Sequence, residues 1–326
     1  MAAINVKEFS KMDQLSEEGT PFVFIIDFLK QNVLLFTMDE LKNNTDVLVH
    51  FLDYKNYTSP SKFNQKVQMQ SYPESFEAYK KGFDLVKRNL QQGNSYLINY
   101  TRKTRIETNL TLQDIFFNSE AKYKICYKNN WVFFSPEIFV KIKDQKISTF
   151  PMKGTIDADI PDAKEVLRNN PKEKAEHYTV VDLLRNDLSI IANEVKLVDF
   201  QRIDYLKTQK KNLYAMSSEI EGIVKPEFQN KIGSLMQKLL PAGSILGAPK
   251  EKTLEVILES ENYDRGFYTG VCGYFDGKDL DSGVMIRYIE NENNQLYFKS
   301  GGGITHQSDA TAEYEEMINK IYVPIY

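Results

Sequence analysis

The chain has 326 residues, 42% hydrophobic and 26% charged, an ordinary globular composition able to bury a sizeable core. Its net charge of -4 and its short basic clusters, Lys207, Lys210 and Lys211 and then Lys250 and Lys252, argue against a nucleic-acid partner and read as solvated surface. Cys126 and Cys272 lack any CxxC spacing and only His50, His177 and His306 offer imidazole, so no disulfide framework or zinc site is indicated and a metal here would be a hard ion held by carboxylates.

Residues 1–18 mix charges with small residues and lack the apolar core of a signal peptide. The longest apolar run, 22–29, is broken by Asp27 and is too short for a bilayer, so a cytoplasmic protein without membrane association is expected. Strands are predicted at 22–28, 33–36 and 47–52, and the polar, proline-bearing stretch 53–73 reads as a connection. Residues 74–92 set Phe76, Tyr79, Phe83, Val86 and Leu90 at a helical period that stops at Gly93, and 96–101 follows as a strand.

Further strands are predicted at 122–127, 131–135 and 139–142, interrupted by Ser135-Pro136-Glu137. Pro151-Met152-Lys153-Gly154-Thr155 reads as a tight turn, because proline fixes φ and glycine permits a reversal that aims Lys153. A polar helix is predicted at 159–169 and a more apolar one at 172–191, where Glu173, Glu176 and Val180 share a stripe at i, i+3, i+7. Acids on a face that continues as apolar residues are expected to avoid bulk water.

Strands at 194–206 and 212–222 and helices at 227–239 and 250–259 come next. The small-residue linker 240–250 between those helices lets backbone amides approach a ligand, but it lacks P-loop spacing. The last third predicts strands at 267–275, 281–289 and 296–300, an acidic hairpin at 290–294, the run Gly301-Gly302-Gly303-Ile304, and a helix at 310–321 carrying Glu313, Glu316 and Lys320 at i, i+3, i+7. Strand-rich halves with intervening helices and no simple βαβ rhythm suggest a layered structure of sheets and helices.

Several blocks stand in order along the chain: Ser135-Pro136-Glu137, the Pro151 to Thr155 stretch, Ala175-Glu176-His177 through Asp187, Pro241-Ala242-Gly243 through Lys250, Tyr268 through Tyr274, Ile286-Arg287, and the glycine run through Glu313-Tyr314-Glu315-Glu316 and Lys320. With the helix from Glu74 they cover 74–322, and in this order they resemble the chorismate-utilising enzymes, the anthranilate, aminodeoxychorismate, isochorismate and salicylate synthases. The resemblance implies an α+β fold, one large α/β/β/α domain in which 1–73 is a short strand-rich N-terminal part and 74–326 the chorismate-binding catalytic region. It implies Mg2+ bridging to the C1 carboxylate of chorismate, with Glu176 and Glu316 as ligands and Glu173 and Glu313 close by. Arg287, Lys320 and the amides of Gly301, Gly302 and Gly303 would hold the substrate carboxylates, with Tyr268 and Thr155 also against substrate.

Lysine as the third residue of the Pro-x-x-Gly-Thr stretch resembles component I of the aminodeoxychorismate synthases, whereas anthranilate and isochorismate synthases usually carry a small residue there. The implied activity is Mg2+-dependent amination of chorismate at C4, in the para-aminobenzoate branch of folate synthesis, with ammonia from a glutamine amidotransferase partner. Neither cysteine sits in a nucleophile-elbow pattern, so the ammonia source is a separate subunit or solution.

The residue types suit that chemistry. A doubly anionic substrate among glutamates needs a divalent cation, and Mg2+ accepts one or two carboxylates with water and substrate oxygens. Arg287 can grip a carboxylate through two parallel hydrogen bonds. Either glutamate pair alone also reads as a solvated helix face; both behind matching motifs read as ligands. A departing hydroxyl calls for an acid, and Glu137 in an apolar setting stays protonated above the usual range. Lys153 would attack C2 as the C4 hydroxyl leaves, and ammonia would then enter at C4 and release it. An ordinary lysine, with a pKa of about 10.4, is charged near neutrality, so this role needs surroundings that strip its proton.

Leu97 stands near the position of the lysine base of isochorismate synthases, where many amidating relatives have glutamine. Leucine cannot activate water, which argues against an isochorismate product. Ala215 stands where many relatives have histidine, leaving one role unassigned, and His177 reads as a helix-packing residue. The alternatives are an anthranilate synthase component I, which also eliminates pyruvate, and a catalytically impaired chorismate-binding subunit, to which Ala215 gives weight.

Overall fold

The computed structural model describes residues 5–58, 67–206 and 212–323, so the cluster Lys207, Lys210 and Lys211 lies outside the described residues. Strand Phe22–Ile26 is buried at every position because its two faces meet two different cores. Phe22, Phe24 and Ile26 pack with Phe9 and Met12 of helix Val6–Glu17 and Leu235 and Met236 of helix Ile232–Leu239. Val23 and Ile25 face the other way, onto Val49, Ile125 and Phe133.

Those last residues belong to a second sheet. The first runs Met152–Asp157, Leu213–Val224, Lys146–Thr149, Ile138–Lys143, Leu280–Val284, Val271–Phe275, Phe22–Ile26, Val33–Thr37, with Ala192–Leu206 added against Leu213–Val224. The second runs Gly247–Ala248, Leu97–Thr108, Gln295–Ile304, Tyr288–Glu292, Trp131–Ser135, Tyr123–Tyr127, Val47–His50, with Met69–Tyr72 against Leu97–Thr108. All these pairings are antiparallel. Helix Leu112–Asn118 covers the outer face of the second sheet through Leu112, Ile115 and Phe116 on Val132, Phe134 and Phe298. Helices outside two packed sheets meet the α+β, α/β/β/α expectation.

Several elements differ from their sequence reading. Helix Val6–Glu17, capped by Asn5, was hidden by its mixed charges. Strand Met69–Tyr72 lies inside the stretch read as a connection, and Leu112–Asn118 and Lys146–Thr149 were not anticipated. The helix expected over 227–239 is a 3-10 turn, Pro226–Phe228, followed by Ile232–Leu239. The strand expected to end at 300 continues through the glycines to Ile304.

The most consequential difference concerns 281–289. It is two strands, Leu280–Val284 in the first sheet and Tyr288–Glu292 in the second, with Arg287 at φ 55 between them. Ser135-Pro136-Glu137 makes the same passage in reverse, from Trp131–Ser135 in the second sheet to Ile138–Lys143 in the first. The crossovers lie side by side: Phe134 N–H donates to the Arg287 carbonyl at 3.2 Å, and Val284 N–H to the Glu137 carbonyl at 3.1 Å. No helix among the described residues is long and apolar enough to cross a membrane.

Candidate active site

The seam between the sheets sets Glu137 and Arg287 side by side, because both residues occupy the points where the chain changes sheets. The half-buried Glu137 carboxyl accepts a hydrogen bond from Ser244 Oγ at 2.9 Å. Burial pushes its pKa above the usual carboxylate range, against the Ser244 bond and the cations Lys153, Arg287 and Lys320, which all pull it down. Three cations from separate segments therefore act on one carboxyl. Arg287 lies over the Tyr322 ring at 5.0 Å, and Tyr268 is 4% exposed, its phenol raised first by burial and held back by Arg265.

Lys153 does not lie in a turn. Strand Met152–Asp157 pairs with Leu213–Val224 in the register Met152 to Ser217, Lys153 to Met216 and Thr155 to Ala215, which leaves Gly154, at φ 74, as a bulge. The glycine absorbs an extra residue inside a strand rather than reversing the chain, and a neighbouring strand far away in sequence satisfies the backbone. Lys153 Nζ stands 4.0 Å from Glu176 Oε2, the side chains 24% and 14% exposed. The Thr155 side chain lies outside the described residues.

Helix Pro171–Ile191 packs onto this bulge, so that a Cβ at Gly154 would meet Glu173 Oε2 at 2.7 Å. Glu173 and Glu176 are both half-buried, as their stripe predicted. His177, fully buried, lies 2.7 Å from Ser218 Oγ through Nε2, in keeping with a packing role. Burial, with the field of Lys153, lowers its pKa to about 4.

The glycine strand brings the other half of the site. Gly301, Gly302 and Gly303 pair with Thr101, Tyr100 and Asn99. A Cβ on Gly302 would lie 3.5 Å from each of Glu313 Oε2, Glu316 Oε1 and Lys320 Nζ, and one on Gly303 would lie 3.2 Å from Lys153 Nζ and 3.0 Å from Leu97 Cδ1. Two consecutive glycines thus border the lysine and the C-terminal glutamates. Lys320 Nζ lies 2.7 Å from Glu316 Oε1 and donates to the Gly301 carbonyl at 2.8 Å. Glu313 is buried, whereas the Glu316 side chain is 52% exposed.

Among the described residues no group of three or more histidine, cysteine, aspartate or glutamate side chains forms a ready metal cage. The space beside Gly302 offers carboxylate oxygens of Glu313 and Glu316, the donor type a hard cation takes, together with the opposing charge of Lys320 at the same 3.5 Å.

Two features escaped the sequence reading. Lys250, read as solvated, is 2.9 Å from Asp187 Oδ2 and donates to the Leu239 carbonyl at 2.7 Å. Its partner is buried and distant in sequence, which no local pattern reveals. Ser244 was seen only as one small residue of a linker, and the short helix Gly243–Leu246 turns it onto Glu137. Ala215 is fully buried, opposite Thr155 on one side and Asp204 on the other. Asp204 accepts from Ser217 Oγ at 2.5 Å and from Arg202 Nε at 2.8 Å.

The sequence pattern of the chorismate binding enzyme family matches residues 21–325. A Haemophilus influenzae protein named "Uncharacterized PabA-like protein" is 46% identical over 329 residues, covering 100% of this chain and 99% of that one. Anthranilate synthase component 1 of Arthrobacter globiformis is 34% identical over 200 residues, covering 59% of this chain and 36% of its own. Aminodeoxychorismate synthase component 1 of Escherichia coli is 32% identical over 197 residues, covering 57% of this chain and 42% of its own. Among solved structures, MenF, the menaquinone-specific isochorismate synthase of Escherichia coli, superposes with a TM-score of 0.75 at 14% identity, covering 98% of this chain and 81% of that one. That likeness speaks for the fold.

Proposed function

The chain belongs to the chorismate binding enzyme family, and on that premise we propose that it replaces the C4 hydroxyl of chorismate by an amino group, giving 4-amino-4-deoxychorismate. The observation that carries this reading is the setting of Lys153. Its amine is drawn in beside Glu176 and over Gly303, and its charge acts on Glu137. An amine and a protonated carboxyl in one site are the two groups that this substitution needs.

After handing its proton to solvent, the Lys153 amine forms a bond to C2, the ring double bond shifts, and the C4–O bond breaks. Glu137 gives its proton to the departing oxygen, which leaves as water. Ammonia then bonds to C4, the double bond returns, and the C2–N bond to Lys153 breaks. Arg287 and Lys320 bind the substrate carboxylates, and the buried Tyr268 walls the cavity. Glu176 and Glu316, with Glu173 and Glu313 beside them, would hold Mg2+, whose charge when bound offsets the C1 carboxylate among these acids. Leu97 keeps a water-activating base out of the site.

Ammonia would come from a glutamine amidotransferase partner, and the para-aminobenzoate branch of folate synthesis in the cytoplasm is the setting this product suits. The Escherichia coli relative lends support through its name. The second reading, anthranilate synthase component I, is favoured by the Arthrobacter globiformis relative. Incubating the purified chain with chorismate, Mg2+ and an ammonium salt tests both. Conversion to 4-amino-4-deoxychorismate without pyruvate, abolished in Lys153→Ala, is expected. Anthranilate fluorescence with pyruvate release would favour the second reading, and saturable chorismate binding without product would mark an impaired subunit.

A further inference from the structure

We propose that Ser244 is the positioning residue that decides which oxygen of Glu137 carries the proton given to the leaving hydroxyl. The inference rests on Glu137 being the acid of the proposed reaction. A neutral carboxyl has one carbonyl oxygen and one hydroxyl oxygen, and only the second can donate. Ser244 Oγ lies 2.9 Å from Oε1 as a donor, and our assignment keeps it the donor when the carboxyl is neutral, which makes Oε1 the carbonyl oxygen and leaves the proton on Oε2. Without that bond the proton exchanges between the two oxygens and the carboxyl turns about its terminal torsion, a broad rotor.

The chain around Ser244 is built to hold that hydroxyl still. Helix Gly243–Leu246 is only one turn long, yet it is tied down at both ends. Asp187, 4% exposed, accepts from the Gly243 backbone N–H and is paired with Lys250 at 2.9 Å. Lys250 in turn donates to the Leu239 carbonyl at 2.7 Å, and Lys30 donates to the Leu240 carbonyl at 2.9 Å. On the far side of Ser244, the buried Arg265 donates to the Ile245 carbonyl at 3.1 Å, and Ile245 and Leu246 are themselves buried. Asp187, Lys250, Lys30 and Arg265 therefore anchor the linker that carries the serine hydroxyl to Glu137.

The proton balance is simple. The proton moves from Oε2 to the C4 oxygen as the C4–O bond breaks and water leaves, and the carboxylate regains a proton from the ammonium formed when ammonia bonds to C4. Among the described residues, the cations Lys153, Arg287 and Lys320 act on Glu137, and its charge in turn acts on the phenol of Tyr268. The Ser244 bond stabilises the carboxylate form, so its removal lets the acid keep its proton to higher pH.

The test is the pH dependence of kcat and KM for chorismate in the full chain, for the wild type, Ser244→Ala, Ser244→Thr and Glu137→Gln, with a thermal melt of each. Ser244→Ala is expected to lose roughly 10- to 100-fold in kcat, the scale of one hydrogen bond to a charged group, with KM nearly unchanged. Its descending alkaline limb should move to higher pH, and Ser244→Thr should restore both rate and profile. An inactive Glu137→Gln beside a Ser244→Ala enzyme with the wild-type rate and profile overturns the role of Ser244 alone. A fully active Glu137→Gln overturns the acid reading on which it rests. Equal losses in Ser244→Ala and Ser244→Thr that track a fall in melting temperature, with an unmoved profile, make the serine a packing residue and overturn the proposal.

Discussion

Lys320 ties the C-terminal helix to the glycine strand through Glu316, with Nζ 2.7 Å from Glu316 Oε1 and 2.8 Å from the Gly301 carbonyl. The Glu316 side chain is half exposed, so the pair adds little to stability. Its value lies in holding a cation and a carboxylate against strand backbone where substrate would lie. Lys320→Met should therefore raise KM for chorismate about 10- to 100-fold, the worth of a charged hydrogen bond, with the melting temperature shifted by no more than about 2 °C. Steady-state kinetics beside a melt would show it; an unchanged KM with a lower melting temperature would count against a substrate-holding role.

The periodic parts of this fold were legible in the sequence. Phe76, Tyr79, Phe83, Val86 and Leu90 mark a helix that runs Phe76–Gln91, and the stripe of Glu173 and Glu176 leads to two half-buried acids on one long helix. What stayed hidden depends on partners distant in the chain. Residues 281–289 are apolar on both sides of Arg287, so nothing local says that the strand changes sheets there. Gly154 reads as a turn because the bulge exists only against Met216 and Ala215. Lys250 looks like surface until Asp187 is set beside it.

A buried ion pair links strand Leu97–Thr108 to the short helix Gly243–Leu246. Arg265 Nη2 lies 2.6 Å from Glu261 Oε1, with side chains 2% and 1% exposed, and the same guanidinium donates to the Asn99 and Ile245 carbonyls. Glu261 also accepts from the Thr101 N–H and hydroxyl at 2.8 and 2.9 Å. Arg265→Met would strand a buried anion and should cost about 3–5 kcal/mol in chemical denaturation. Adding Glu261→Gln should recover part of that loss, because the uncompensated charge is then gone. A single variant with wild-type stability would show that the pair is not bearing on the fold.

Lys124 predicts a pH-dependent term. It is 5% exposed and caps helix Leu112–Asn118 by donating to the Phe116 and Ser119 carbonyls at 2.8 and 2.7 Å. Burial lowers its pKa from 10.5 to about 8. Between those values the unfolded chain binds more protons than the folded one, so this lysine's contribution to stability rises with pH across that window. Lys124→Met removes both donors and should cost about 1–3 kcal/mol near neutrality. Because the variant lacks the titration, the gap to the wild type should widen by about 1–2 kcal/mol between roughly pH 7.5 and 9.5. Urea melts across that range check it, and a constant gap would contradict the assignment.

Gly154 and Gly93 offer a matched pair of substitutions. Both have φ 74, but a Cβ on Gly93 meets nothing within 4 Å, whereas one on Gly154 would meet Glu173 Oε2 at 2.7 Å and Leu167 Cδ1 at 3.1 Å. Replacement by alanine should impose a similar backbone strain at each, about 1–2 kcal/mol. Only at Gly154 must the acidic helix also give way, and with it the bulge that directs Lys153 toward Glu176. Gly93→Ala should therefore lower the melting temperature slightly and leave turnover of chorismate alone. Gly154→Ala should lower kcat at least 10-fold, since displacing a reacting group by about 1 Å costs on the order of 100-fold. Equal turnover in the two variants would mean that the bulge shapes the strand without aiming the lysine.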